Sequence, residues 1–142
     1  MARPRTRSQR SPRSPQRLIL DSGAVIALAR LDMRARAYLA RARELGVEVE
    51  IPVVVLAETL RGGPSDAAVH RVVNAVGETP PTTDPMGRRA GSFLAAFPNP
   101  GVADALVVAQ AVERGASLIL TSDPGDLARL AADHPDVVVA AV

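Results

Sequence analysis

Short apolar runs alternate with helical patterns along the chain from Leu18 onward. The runs at 18–20, 117–120 and 136–142 have the length and the branched aliphatic content of β-strands, and VEVEI at 47–51 alternates like a half-buried strand. Between them, apolar residues recur at helical spacing. This alternation predicts an α/β fold in three layers, α/β/α, with a central parallel sheet of four to five strands.

The predicted helices have recognisable boundaries. MRARAYLARAREL ends at Gly46, a short helix from VVVLAETLR ends at Gly62-Gly63, and Ser65 is the expected N-cap of the helix after that. The stretch VADALVVAQAV near residue 102 is apolar on nearly every side, so we expect this helix to be buried.

The composition excludes several kinds of chemistry. The sequence has no cysteine, which removes disulfides, thiolate metal sites and thiol nucleophiles. All of its basic residues are arginine, so it lacks the lysine of a P-loop or of a Schiff-base enzyme. One Tyr and two Phe are too few for a base-stacking surface. His70 and His134 are isolated, and we interpret them as structural or solvated.

The charge is unevenly distributed. Residues 1–17 hold six arginines and no acid, whereas residues 18–142 hold 11 arginines and 15 acids. We therefore predict a disordered Arg/Pro/Ser-rich tail at 1–17 and a folded domain at 18–142. The tail could attract phosphate backbones or only aid solubility. No apolar run approaches the roughly 20 residues of a membrane helix, and no signal-peptide core follows the basic start. We expect a cytoplasmic protein without a membrane partner.

Four acids stand where a catalytic site of an α/β protein is expected. Asp21 and Asp123 follow apolar strands, and ligands bind beyond the carboxyl ends of strands in open α/β sheets. Glu58 shares a helix face with apolar residues, where a carboxylate is costly unless it is paired or bound to a metal. Asp104 opens the most apolar helix, on a face that continues into the core.

Each acid also has a structural explanation. Asp21 and Asp123 could cap helices, Glu58 could pair with Arg61, and Asp104 could gain from the helix dipole. Asp126 is expected to cap its helix or to support the site from outside it.

Carboxylates gathered in one place repel each other unless a cation neutralises them. A set of oxygen ligands without His or Cys suits Mg²⁺ or Mn²⁺. Such ions activate water and stabilise phosphodiester displacement. Hydroxyls of Thr121, Ser122 or Ser22 could orient a water or a phosphate oxygen.

Three segments carry a resemblance to a known family. LILDSGAVIAL, VVVLAETLRG and VADALVVAQAVERGASLILTSDPGDL resemble the PIN-domain family and, within it, the VapC-type toxins of toxin–antitoxin pairs. The resemblance covers residues 18–142 and rests on the order and spacing of the acids more than on any single motif. One departure is Gly23, where the family often has Ser or Asn; Ser22 stands beside it.

The resemblance implies a PIN-like fold and an RNA-cleaving Mg²⁺ or Mn²⁺ site. Its four acids correspond to Asp21, Glu58, Asp104 and Asp123, and its supporting hydroxyl to Thr121. It also implies a homodimer and a cognate antitoxin that obstructs the acidic site. Arginines that could face RNA, or simply lie on solvated helix faces, are Arg34, Arg36, Arg41, Arg43, Arg88 and Arg89.

Three alternatives remain open at this point. The first is a haloacid-dehalogenase-type phosphatase, although position 23 lacks the second Asp that it needs. The second is a PIN-like module that binds nucleic acid without cleaving it. The third is a housekeeping RNA-processing nuclease. Metal-dependent cleavage and a neighbouring antitoxin reading frame would distinguish these from a toxin.

Overall fold

Residues 13–142 are described by a computed structural model and contain four strands and seven α-helices. The strands are β1 (Arg17–Leu20), β2 (Glu48–Glu50), β3 (Ser117–Thr121) and β4 (Val137–Ala141). The helices are α1 (Ser22–Ala29), α2 (Met33–Glu44), α3 (Val53–Thr59), α4 (Ala67–Val76), α5 (Asp84–Ala96), α6 (Val102–Arg114) and α7 (Gly125–Leu130), with a 3-10 helix at Pro64–Asp66.

The four strands form one parallel sheet in the order β2-β1-β3-β4. In the central pair Leu20 is in register with Leu120, so β1 and β3 end side by side. Helices flank the sheet, and both α1 and α6 pack against β3. The predicted α/β class, with three layers and a parallel sheet of four strands, is confirmed.

The central strands form the middle of the core. Leu18, Ile19 and Leu20 of β1 are buried, as are Ile119 and Leu120 of β3. A parallel sheet covered on both faces buries both sides of each strand, which explains the continuous apolar runs. Helix α6 is buried from residue 107 to 111, as its composition predicts. No helix within residues 13–142 is long and apolar enough to cross a membrane.

The first strand begins one residue before the predicted domain boundary. Arg17 belongs to β1, and the N–H of Gln16 already donates to the carbonyl of Ala116 at 2.9 Å. Arg13 also contacts the body, through its N–H and the Asp136 carboxylate at 3.2 Å. The folded part therefore includes the last residues of the predicted tail. Residues 1–12 lie outside the described residues, and the tail itself stays a prediction.

The predicted N-cap at Ser65 is wrong. Pro64 begins a 3-10 helix there, so the chain turns before α4 starts. The neighbouring Asp66 carboxylate instead accepts the N–H groups of Arg61 at 2.9 Å and Gly62 at 2.7 Å. These bonds lower the pKa of Asp66, because they favour its charged form.

Glu50 departs from the half-buried alternation predicted for its strand, because the residue is only 1% exposed. Its carboxylate accepts hydrogen bonds from Arg17 Nε at 3.1 Å, Gln110 Nε2 at 3.1 Å and Arg114 Nε at 2.9 Å. Glu50 in turn raises the pKa of Arg114, mainly through this hydrogen bond. These four residues, the Glu50 cluster, join β2 to the start of β1 and the end of α6.

Candidate active site

The candidate site lies beyond the carboxyl ends of β1 and β3. The N–H of Asp21 donates to the carbonyl of Leu120 at 3.2 Å, so the two strands remain joined up to this point. Asp21 follows the last residue of β1, and Thr121 is the last residue of β3. The topology therefore brings the two polar strand ends together, as the sequence predicts.

Asp21 is both a helix cap and a buried acid. Its carboxylate accepts the N–H of Ala24 at 2.9 Å at the start of α1, and the residue is 7% exposed. Burial raises the pKa of Asp21, opposed by hydrogen bonds from Thr121 and Ala24, and the charge of Glu58 raises it further. Asp21 therefore does more than cap α1, because the charge of Glu58 in α3 also acts on its carboxylate.

Thr121 holds the turn that carries Asp123. Its hydroxyl oxygen is buried and accepts the N–H of Asp123 at 3.0 Å. Asp123 itself is exposed, and its carboxylate lies at the limit of a hydrogen bond, 3.5 Å, from the N–H of Gly125. The capping explanation for Asp123 is thus weak, and its carboxylate is open to solvent.

Glu58 is placed differently from the prediction. The sequence pattern puts this acid on an apolar face, but Glu58 is exposed, whereas Val55 is buried. Three residues along a helix correspond to about 300°, so Glu58 is displaced by about 60° from Val55. Arg61, the predicted partner, donates instead to the carbonyls of Ala57 and Leu60, both at 3.0 Å. Within residues 13–142 Glu58 forms no ion pair.

Asp104 is the point at which the acids interact. It lies half-buried in the first turn of α6. Burial raises the pKa of Asp104, and the charges of four other carboxylates raise it further. In order of decreasing effect these are Asp126, Asp21, Glu58 and Asp123. The other three acids identified from the sequence are therefore close enough to raise the pKa of Asp104, and a fifth acid, Asp126, also raises it.

Of the two roles predicted for Asp126, capping of α7 is wrong, and support of the site from outside it stays a prediction. Its side chain makes no capping hydrogen bond; it pairs with Arg129 at 2.7 Å. Of the neighbouring charges, that of Asp126 has the largest effect on Asp104. The first turn of α7 thus places a carboxylate close enough to Asp104 to raise its pKa. The spacing of Asp123 and Asp126 could have indicated this, because both follow the same strand.

The donor set fits a hard divalent cation. It consists of carboxylate oxygens, the ligands that Mg²⁺ and Mn²⁺ prefer. Within residues 13–142, however, no three acidic or histidine side chains are arranged to hold one ion together. Repulsion among like charges favours such a spread, and a cation would offset it.

Gly23 and Ser122 are in close contact at this edge. A Cβ built on Gly23 would lie 2.1 Å from Ser122 Oγ and 2.9 Å from the Ser122 nitrogen. Ser22, the predicted supporting hydroxyl, is the first residue of α1, and Asp21 rather than Ser22 provides the cap. The space that a side chain at position 23 would fill is thus taken up by Ser122, which directly follows β3.

Most of the candidate arginines already have partners within the fold. Arg41 pairs with Glu44 at 3.2 Å, and Arg88 pairs with Asp84 at 2.6 Å. Arg89 pairs with Glu113 at 2.6 Å, and Arg43 donates to the carbonyl of Ala75 at 3.1 Å. Because Glu113 lies near the end of α6, Arg89 lies far from Asp104 at its start. These four arginines are therefore engaged within the fold, and their contact with RNA stays a prediction.

The fold and the acids define an α/β domain with an acidic candidate site at the carboxyl edge of its sheet. A family model described as PIN domain matches residues 18–133. The chain belongs to the PIN-domain family, which leaves the phosphatase alternative without support.

Solved structures share this fold at low sequence identity. A chain from the VapBC2 complex of Rickettsia felis, bound to a promoter DNA fragment, matches with a TM-score of 0.72 and 12% identity, covering 89% of this chain and 98% of that one. For DNA-bound VapBC from Salmonella typhimurium the TM-score is 0.63 at 15% identity, covering 88% and 97%. For FitAcB from Neisseria gonorrhoeae it is 0.57 at 19%, covering 86% and 95%. Such identities establish the fold alone. No curated protein matches the chain in sequence.

Proposed function

We propose that this chain is a metal-dependent endoribonuclease and the toxin of a toxin–antitoxin pair. The observation that carries the proposal is Asp104, a half-buried carboxylate whose pKa is raised by burial and by four neighbouring acids. Membership in the PIN-domain family, generally one of nucleases, and structural likeness to chains from VapBC complexes support it.

Asp21, Glu58, Asp104 and Asp123 are the residues that would hold Mg²⁺ or Mn²⁺. When bound, the cation would polarise a phosphodiester group of RNA and activate water near neutral pH. The charged form of Asp104 is destabilised in the folded protein, so a cation bound beside it would relieve an existing cost.

The chain's own residues orient this site. The N–H of Ala24 holds the Asp21 carboxylate in one direction at the start of α1. The Thr121 hydroxyl holds the turn of Asp123 against the end of β3. Glu58 and Asp123 are exposed, which leaves the site accessible to a polymer such as RNA. The acids would repel phosphate without a cation, so substrate binding and metal binding should be coupled.

Cleavage of RNA by the purified full chain tests the nuclease proposal. We expect cleavage in Mg²⁺ or Mn²⁺, its loss in EDTA, and a decrease of at least about a hundredfold in Asp104→Asn and Asp21→Asn, because metal-held charge stabilisation supplies several kcal/mol. Asparagine also caps helices, so Asp21→Asn should fold.

Asp84→Asn is the matched control, since it makes the same chemical change at an exposed acid paired with Arg88. It should cleave at the wild-type rate. Cleavage that persists in Asp104→Asn, or that does not depend on metal, would contradict the proposal.

The toxin role has a separate test. Induction of the wild-type chain in cells should arrest growth, and co-expression of the product of a short neighbouring reading frame should relieve the arrest. Cleavage in vitro without growth arrest would favour a housekeeping nuclease. RNA binding without cleavage would favour a non-catalytic module. A homodimer and a cytoplasmic location are further parts of the proposal, open to sedimentation and cell fractionation.

A further inference from the structure

The contact between Gly23 and Ser122 links two strand ends at the candidate site. The three atoms nearest to a Cβ at position 23 all belong to Ser122: Oγ at 2.1 Å, N at 2.9 Å and Cβ at 3.0 Å. Real Cβ atoms essentially never approach heavy atoms within 3.0 Å. A side chain at position 23 would therefore displace the Ser122 hydroxyl or the backbone that carries it.

The residues on either side of this contact in the sequence belong to the candidate site. Gly23 lies between Asp21 and Ala24, which are joined by the capping hydrogen bond, and Ser122 lies between Thr121 and Asp123. The Thr121 hydroxyl is buried and occupied by the backbone of Asp123. Ser122 is exposed, and within residues 13–142 no hydrogen bond engages its hydroxyl. It is thus a neutral donor open to an incoming ligand.

A neutral hydrogen-bond donor among carboxylates can bind a group that the carboxylates repel. Phosphodiester oxygens are anionic and are repelled by uncompensated acids, whereas a hydroxyl can donate a hydrogen bond to them. We propose that Ser122 is a substrate-positioning residue whose hydroxyl donates to a phosphodiester oxygen of RNA, and that glycine at position 23 is needed to admit it. This inference rests on the proposed nuclease function.

The contact between Gly23 and Ser122 suggests an experiment in which the hydroxyl is moved from position 122 to position 23. Ser122→Ala should lower kcat/KM for RNA about tenfold, the effect of losing one hydrogen bond to a charged group. Gly23→Ala should lower it at least as much, because its methyl group displaces Ser122. The pair Gly23→Ser with Ser122→Gly supplies the hydroxyl from α1 instead, and should recover kcat/KM to within about threefold of wild type.

The matched control is Gly23→Ala with Ser122→Gly, which removes the clash with the side chain of residue 122 and leaves no hydroxyl. Its Cβ has the same 2.9 Å approach to the backbone nitrogen of residue 122 as the Cβ of the serine pair, so the two pairs carry the same strain. It should fold as well as the serine pair and stay about tenfold less active than wild type. Thermal unfolding of every variant separates loss of the hydroxyl from loss of structure. Ser92→Ala removes another exposed hydroxyl, on α5, and should have no effect.

RNA binding provides a readout that does not need cleavage. In an Asp104→Asn background, anisotropy of fluorescent single-stranded RNAs of mixed sequence should show several-fold weaker binding when Ser122 is also replaced by alanine. If the wild-type chain cleaves no RNA, the nuclease proposal fails, and this binding difference still decides the role of Ser122. Wild-type cleavage and binding in Ser122→Ala, or equal activity of the two Gly23 pairs, would overturn it.

Discussion

Two parts of the sheet hold acids in opposite surroundings. Glu50, the buried last residue of β2, is neutralised within the chain by Arg17 of β1 and Arg114 of α6. At the carboxyl ends of β1 and β3, Asp21 and Asp104 are buried or half-buried without an arginine partner within residues 13–142. Instead, burial and other acids raise the pKa of both.

This difference distinguishes an acid that is buried to stabilise the fold from acids that are buried at a functional site. A buried acid that serves the fold is paired, because an unpaired buried charge is costly. Acids that are costly to the fold and yet gathered at the ligand-binding edge of the sheet are expected where a ligand supplies the missing charge. The Glu50 cluster therefore shows how this protein pairs a buried acid that serves the fold, and the unpaired acids of the candidate site can be compared with it.

Removal of Glu50 should have the largest effect on stability. Glu50→Ala leaves Arg114 without its carboxylate partner and leaves Arg17 with the exposed Glu48 as its one remaining carboxylate within residues 13–142. Breaking a buried ion pair costs about 3–5 kcal/mol, and we expect about 2–3 kcal/mol here because the side chains of Arg17 and Arg114 are 21% and 35% exposed. Urea unfolding measures the change in the free energy of unfolding.

Glu44→Ala is the exposed control for this prediction. Glu44 pairs with Arg41 and is 66% exposed, so its loss should cost less than about 0.5 kcal/mol. Equal effects at positions 44 and 50 would mean that the Glu50 cluster does not stabilise the fold.

Asp104→Asn should stabilise the protein, by a smaller amount. The pKa of Asp104 in the folded state is raised above its ordinary value of 3.8, so between these two values the folded state binds more protons than the unfolded state. Stability contributed by this group is present below 3.8 and is lost as pH rises through the raised pKa. At neutral pH in metal-free buffer, asparagine should raise the unfolding temperature by a few degrees.

The pH dependence makes this prediction specific. The gain from asparagine should shrink as pH is lowered towards 3.8, because the wild-type carboxyl then becomes protonated in the folded protein. A variant that is less stable than wild type at neutral pH, or a gain that does not change with pH, would show that Asp104 is stabilised in its charged form.

Much of this arrangement could be predicted from the sequence. Continuous apolar runs located the central strands, because strands buried on both faces lack alternation. The sheet rule then placed Asp21 and Thr121 at one edge, and the helix pattern placed Asp104 near it. These inferences succeeded because each depends on local periodicity and on one general rule of topology.

The remaining features depend on contacts between distant segments. Glu50 is buried because Arg17 and Arg114 reach it from elements far apart in the chain, and strand alternation carries no sign of this. The proximity of Asp126 to Asp104 depends on how α7 follows β3. The contact of Gly23 with Ser122 requires the exact spacing of two strand ends, which no single segment encodes.

Calorimetric titration with Mn²⁺ tests the central claim most directly. We expect saturable binding to the wild-type chain, its loss in Asp104→Asn, and wild-type binding in Asp84→Asn, the exposed control. Binding that is unchanged in Asp104→Asn, or no binding to the wild-type chain, would contradict the claim that the acids at the carboxyl edge form a metal site.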